Sequence, residues 1–261
     1  MQKVTLKLQG IEQLLEAEVN HQTVKINGVE HNSDSIPVDV PINGTIYGTL
    51  LNYQGEYQAL EPSMEEEPYK NPPNAPVLYI KPKNTFISHR NAIPLPKNID
   101  ALQIGAALGI VIGKTATKVK EEEAQNFIAG YTIINDVSVP HKSVHRPAVK
   151  EKSRDGFCPI GPWIVSSDSI ENPNDLNLKV LINGEVKQEN STRNLVRSVE
   201  KLIADITEFM TLYKGDVLLV GVPENAPLAK ENDLVKIEIE NIGAIENRVI
   251  MESNVIGGNT L

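Results

Sequence analysis

GAALGIVIGKTATKVKEEEAQNFIAGYTIINDVS, running from Gly105 to Ser138, is punctuated as strand, turn, helix and strand, closed by an Asn-Asp corner. Ala107 to Ile112 is an unbroken apolar run rich in β-branched residues, the pattern of a strand buried on both faces. Gly113-Lys114 interrupts it. The trio Glu121, Glu122 and Glu123 suits the positive end of a helix dipole. Ala124, Phe127 and Ile128 share one helical face and Gly130 is placed to stop the helix, so a helix is expected over Glu121–Ala129. Tyr131 to Ile134 resumes strand character and delivers Asn135 and Asp136 to a strand end.

Upstream, Val77 to Ile80 reads as a buried strand running into Lys81-Pro82-Lys83-Asn84, and Ile46 to Asn52 as a short apolar strand. Between them Tyr53 to Pro76 is acidic and proline-rich, with Glu65-Glu66-Glu67 and Pro72-Pro73. A long irregular segment of that kind inside a domain is a lid, a binding loop or solvated surface. The first 45 residues are polar. Val4 to Leu8 alternates like a half-exposed strand, Thr23 to Val29 gives another with an Asn27-Gly28 turn, and Pro37, Pro41 and Asn43-Gly44 mark a boundary. A small N-terminal β segment, 1–45, is therefore expected ahead of a main domain, 46–261.

Downstream, Leu176 to Val186 reads as a hairpin turning at Asn183-Gly184. Leu195, Val199, Leu202, Ile203, Ile206, Phe209 and Met210 lie on one helical stripe, so Val199–Met210 is expected to be a core-facing helix. Val217 to Val220, Leu234 to Glu240 and Asn247 to Val255 complete the strands. Many strands and few helices, without a βαβ repeat, indicate an α+β chain that is mostly β with a mixed sheet.

Composition narrows the function classes. The 261 residues are 40% hydrophobic and 23% charged, ordinary for a globular protein able to bury a large core. A net charge of -9 argues against nucleic acid and anionic membrane as partners. A single cysteine permits no internal disulfide, and with no apolar leader and no run as long as a membrane span the expected setting is the cytoplasm.

Five ordered blocks resemble the fumarylacetoacetate hydrolase superfamily. They are Tyr79 to Thr85 (YIKPKNT), Val111 to Lys114 (VIGK), Ala129 to Tyr131 (AGY), Asn135 to Ser138 (NDVS) and Lys152 to Gly161 (KSRDGFCPIG). The likeness covers roughly Tyr47 to the C-terminus. Gly113 to Val119 and Arg154 to Gly161 are most similar to the N-terminal half of the isomerase/decarboxylases of 4-hydroxyphenylacetate (homoprotocatechuate) breakdown. The resemblance implies a β-roll with peripheral helices and a dimeric or larger assembly. It also implies a 2-oxo dicarboxylate substrate whose enolate is stabilised by magnesium or manganese.

The family's metal ligands are the glutamates of an E-x-E pair and the aspartate of N-D; residues i and i+2 of a strand share a face and can reach one ion. Here the E-x-E positions are Gly105 and Ala107, leaving Asp136 as the retained ligand, so metal is expected not to bind at this chain's own site. The His and Glu that follow Asn-Tyr in the family lid are Glu56 and Ala59 here, and the T-G-T-P loop is Val220-Gly221-Val222-Pro223. What the resemblance leaves is a cationic set. Lys152 and Asp136 are the candidate catalytic residues, and Lys81, Arg154 and Asp155 the candidate substrate contacts. Asp136 reads equally as a turn cap, and Arg154-Asp155-Gly156 as a turn with an internal ion pair. Cys158 reads as a small buried residue, and His141 with His145 lacks the helix a metal pair at that spacing needs.

Two functions follow from the resemblance. One is an enzyme subunit that decarboxylates or isomerises 5-carboxymethyl-2-oxo-hex-3-ene-1,7-dioate or its product. The other is a non-catalytic partner of a metal-bearing paralogue. The assembly is correspondingly a homodimer or a hetero-oligomer with that paralogue.

Overall fold

The computed structural model describes residues 1–20, 22–67, 70–141 and 148–255. All seven residues of the Ala106–Ile112 strand are buried, as the apolar run requires. It pairs antiparallel with Ile128–Asn135, Ala106 opposite Asn135, and on its other side antiparallel with Val217–Leu219. Outward from the first neighbour lie Cys158–Ser166, Gln2–Leu8, Leu15–Asn20, Thr23–Ile26 and Val29–Asn32. From the second, Ile46–Leu50 joins in parallel and Val77–Lys81 closes the opposite edge.

A second sheet runs Glu185–Ser191, Asn177–Ile182, Leu234–Ile239, Gly243–Met251 and Ile93–Leu95. Inward residues of both sheets, Leu108 and Ile110 against Val180, Ile237 and Ile245 among them, form one large apolar core. A smaller cluster on the opposite face of the first sheet holds Ala107, Val111, Ile134, Cys158 and Ile160. The chain is thus mostly β with peripheral helices. The Asn27-Gly28 turn is present, both residues adopting positive φ between paired Ile26 and Val29, and Gln2–Leu8 fastens this hairpin region to the main sheet.

Four local expectations are corrected. Glu121–Phe127 is a 3₁₀ helix, with the next strand beginning at Ile128. Residues three apart eclipse in a 3₁₀ helix, so Ala124 and Phe127 both face inward without an α-turn. Gly130 does not end this helix but sits inside the strand, where a Cβ would lie 2.1 Å from the Val165 carbonyl oxygen. The second helix is Val199–Phe209, capped by the Ser198 hydroxyl, which accepts from Lys201 N–H at 3.1 Å. Its buried stripe ends at Ile206 and Thr207, leaving Phe209 60% exposed. The segment after Tyr53 is not wholly irregular, because Gln54–Met64 is helical despite Gly55 and Pro62. Finally, Val77–Ile80 is half-exposed, as befits an edge strand, while the lysine ending it is buried.

Replacing Gly130 with alanine forces the Ile128–Asn135 and Cys158–Ser166 strands apart at the centre of the sheet. Overpacking of this kind costs about 1–3 kcal/mol, and urea unfolding of Gly130→Ala should show a loss at the upper end of that range.

Candidate active site

The strand end predicted to carry Asn135 and Asp136 does so, and three cross-sheet contacts converge there. Lys81, the last residue of the edge strand, reaches across to place its Nζ 3.0 Å from Asp136 Oδ1. Lys152, at the end of the short helix Val149–Lys152, places its Nζ 2.7 Å from Asp136 Oδ2. Tyr79, one outward step along the Lys81 strand, donates its hydroxyl to the same Oδ2 and offers its ring to Lys152 Nζ at 4.8 Å. Gly48 pairs with Tyr79, and its lack of a side chain is what lets the tyrosine ring lie flat there: a Cβ would sit 2.0 Å from the ring.

Burial opposes ionisation of Asp136, but the Lys152 and Lys81 charges and the hydrogen bonds from Lys152 and Tyr79 outweigh it. The carboxyl is held well below the usual carboxylate range. Tyr79 moves the other way: burial, then the Asp136 charge, pushes its phenol well above the ordinary value, so it stays a donor.

The two lysines are not equivalent. Lys81 is enclosed and gives its hydrogen bonds to the Val137 and Lys152 carbonyls, at 3.1 and 2.7 Å, besides its ion pair. Its two hydrogen bonds and its ion pair all point into the protein, so this geometry gives no support to its expected role as a substrate contact. It neutralises Asp136 and ties the strand end to the Lys152 turn. Lys152 spends one donor on Asp136 and its side chain keeps 15% exposure, so it is the open charge of the site. Arg154 donates to the Lys150 carbonyl at 3.1 Å, and Asp155 accepts from Asn84 at 2.7 Å beside a cleft of about 420 Å³ lined also by Ile87, Asn91 and Pro94. No hydrogen bond or ion pair among the described residues joins either one to Asp136. Cys158 is buried, and burial pushes its thiol up to about 12, so it is no nucleophile. His141 lies 3.1 Å from the Val139 carbonyl, and His145 falls outside the described residues.

These residues do not fit a divalent metal. Gly105 and Ala107 lie at the positions where carboxylates would be needed, and the space has been filled. A Cβ on Gly105 would stand 2.5 Å from the Asp136 carbonyl oxygen and 3.1 Å from Val222, and Ala107 is fully buried in the smaller apolar cluster. The remaining carboxylate already faces two ammonium groups, which repel a cation. Among the described residues no group of three His, Cys, Asp or Glu is arranged to hold one.

Sequence reasoning passed over the lid as a proton-transfer element because its expected His and Glu are missing. The helix Gln54–Met64 begins beside the site, fastened by Asn52, whose amide donates to the Val220 carbonyl at 2.8 Å and accepts from Arg197 N–H at 2.9 Å. Glu56 in its first turn accepts from Leu51 N–H at 2.9 Å through Oε2. Burial raises its carboxyl to about 7 against the lowering effects of that hydrogen bond and of Lys152, with Asp136 and Glu224 adding to the rise. The available signal was a glutamate at the position of the family's lid histidine.

Residues 45–250 match the family described as fumarylacetoacetate (FAA) hydrolase, C-terminal. The 4-hydroxyphenylacetate degradation bifunctional isomerase/decarboxylase of Escherichia coli is 39% identical over 214 residues, 82% of this chain but 49% of that protein. The chain therefore spans about half the length of this relative. The crystal structure of 5-carboxymethyl-2-hydroxymuconate delta-isomerase from Mycobacterium smegmatis superposes with a TM-score of 0.78 at 28% identity, covering 96% of this chain and 99% of that one. A maleylpyruvate hydrolase from Sphingobium sp. SYK-6, in complex with manganese (II) ion and pyruvate, shares the fold at TM-score 0.78 and 20% identity, covering 95% of this chain and 99% of that one.

Asp136→Asn leaves two lysines facing a neutral amide and should cost about 3–5 kcal/mol in urea unfolding at neutral pH. The sign with pH follows from the depressed carboxyl: the contribution of Asp136 is present above the unfolded carboxylate range and is lost only as pH falls through its lower folded value. The stability gap between wild type and Asp136→Asn should therefore persist to pH 4 and narrow below it. Magnesium or manganese at millimolar concentration should leave the Tm of the wild type unchanged.

Proposed function

The chain belongs to the fumarylacetoacetate hydrolase family, and from that premise we propose that it is an enzyme of the isomerase/decarboxylase branch acting on an unsaturated 2-oxo dicarboxylate. The candidate substrate is 5-carboxymethyl-2-oxo-hex-3-ene-1,7-dioate, whose carboxymethyl arm adds a third carboxylate, or the dicarboxylate that its decarboxylation leaves. The relatives support this reading by their names: an isomerase/decarboxylase of 4-hydroxyphenylacetate degradation, a 5-carboxymethyl-2-hydroxymuconate isomerase and a 2-hydroxyhepta-2,4-diene-1,7-dioate isomerase. The observation that carries it is the charge of the site, two ammonium groups to one carboxylate, with the surplus on the partly exposed Lys152.

Each reaction of this branch passes through an enolate. In decarboxylation the bond to the leaving carboxylate breaks, CO₂ departs, and the electron pair ends on the 2-oxo oxygen. In isomerisation a proton leaves one carbon and returns at another through the same enolate. Lys152 supplies positive charge where that oxygen develops negative charge, in a site that is largely dry, so the interaction is stronger than it would be in water. Asp136 positions Lys152, and Lys81 keeps Asp136 ionised. Arg154 remains a candidate for a distal substrate carboxylate because its guanidinium has only one described hydrogen bond, while Asp155, already bonded to Asn84, serves the turn that presents Lys152.

The second reading is a supporting subunit for a metal-bearing paralogue. It is favoured by the filled metal position at Gly105 and Ala107. On this reading the assembly is a hetero-oligomer; on the first a homodimer suffices.

The purified chain should consume 5-carboxymethyl-2-oxo-hex-3-ene-1,7-dioate or isomerise its product in the presence of EDTA, followed by ultraviolet absorbance and CO₂ release. Lys152→Met should lower kcat/KM about 100-fold or more, the loss typical of a donor to a developing oxyanion. Activity that arises only when a metal-bearing paralogue is added, and survives Lys152→Met, would establish the second reading instead.

A further inference from the structure

Glu56 is a titratable group at the site that the charge argument does not use. Its Oε2 is tied to the Leu51 N–H at 2.9 Å, a contact that holds Leu51 in the left-handed region with φ 60°. Its Oε1 has no hydrogen bond among the described residues, and the residue is part-buried. The carboxyl is thus anchored by one oxygen, and its other oxygen has no partner among the described residues.

Its surroundings place it with the lysine pair. The strand Ile46–Leu50, which leads into Leu51, lies against Tyr79, and the Tyr79 ring carries Lys152. From the opposite side the loop Val220–Glu224 closes over the same spot. Val222 covers Gly105 beside Asp136, and the Glu224 carboxyl fits against Gly55, where a Cβ would meet it at 2.2 Å. The charged groups facing Glu56 are therefore Lys152 and Asp136 from the sheet side and Glu224 from the loop. A carboxyl so placed is divided between its acid and base forms near neutral pH, as a group that both takes and returns a proton requires.

We propose that Glu56 carries the proton in a metal-free 1,3-proton shift on an unsaturated 2-oxo dicarboxylate, while Lys152 holds the charge on the 2-oxo oxygen. This rests on the 2-oxo dicarboxylate reading above. For a substrate with its double bond at C4, ionised Glu56 removes a proton from C3. The C–H electron pair forms the C2–C3 double bond and the carbonyl π pair moves onto oxygen beside the Lys152 ammonium. Protonated Glu56 then returns the proton to C5, the carbonyl re-forms, and the double bond lies at C3. Atoms and electrons balance with no co-reactant. Glu56 touches the reacting carbons and is a catalytic residue; Asp136 and Lys81 are positioning residues.

The first half of the step can be read with 2-oxoadipate in D₂O containing EDTA, following deuterium entry at C3 by proton NMR and binding by calorimetry. The wild type should bind 2-oxoadipate and exchange C3, with a rate rising through about pH 7 as Glu56 ionises. Glu56→Gln should bind comparably, exchange at least about 100-fold more slowly, and lose the pH limb. Glu56→Asp, which keeps a carboxyl at lower reach, should retain a limb at reduced rate, and its circular dichroism guards against a folding defect. Exchange in Glu56→Gln equal to wild type, or wild-type exchange abolished by EDTA, overturns the proposal. Binding that Lys152→Met weakens, without any exchange by the wild type, overturns the proton carrier and leaves the substrate reading standing. Failure of the wild type to bind 2-oxoadipate overturns both.

Discussion

Asp136 is a buried carboxylate held between two ammonium groups, and the site is built on that triad. An isolated charge at this depth would be expensive. Here each oxygen faces a lysine, and Lys81 also donates hydrogen bonds to the Val137 and Lys152 carbonyls. One buried lysine thereby fastens three pieces of chain: the edge strand that ends in it, the corner after Asn135, and the turn that presents Lys152. Such an arrangement adds little net stability over an apolar packing of equal volume, but breaking it leaves uncompensated charge. Its value lies in geometry, since it fixes where the one accessible cation points.

The same triad bears on why these residues do not fit a divalent ion. Such a cation needs several oxygen ligands, and here a single carboxylate is already paired with two ammonium groups. With Gly105 and Ala107 in place of carboxylates, the strand and the Asp136 backbone have closed together, and Val222 lies over the gap. On the proposed reading, the positive charge for an enolate comes from Lys152 instead of an ion. That substitution changes chemistry as well as composition: an ammonium is a weaker electrophile than magnesium but needs no loading, and it leaves proton transfer to a separate group.

On the same reading the lid supplies that group through Glu56, and its first turn is positioned where three distant segments meet. Asn52 binds the loop after the Val217–Leu219 strand and the segment before the Val199–Phe209 helix, so the first turn of the lid is set by residues about 145 to 168 positions away. Gly55 gives room to Glu224, and the carboxyl of Glu56 is left between a positive and a negative neighbourhood. Each contact is small. Together they hold a carboxyl where burial shifts its titration into the neutral range.

By itself the sequence determined the mostly β architecture, because strand periodicity and the unbroken run Ala106–Ile112 are local signals of burial. Through the family resemblance of its NDVS and KSRDG blocks it also pointed to Asp136 and Lys152 as site residues, and to Gly105 and Ala107 as positions that bring no metal ligands. Tertiary structure decided the rest. Val77–Ile80 looks buried by composition but lies on an edge, while Lys81 at its end is enclosed, since only the sheet order tells which end of a strand is covered. The 3₁₀ turn at Glu121–Phe127 and the close approach at Gly130 follow from pairing Ile128 with Ile112, a constraint no local propensity contains. The protonation of Glu56 likewise depends on desolvation and on charges brought from Lys152, Asp136 and Glu224. Burial and long-range charge are properties of the folded surface, and the chain acquires them only when its strands are in register.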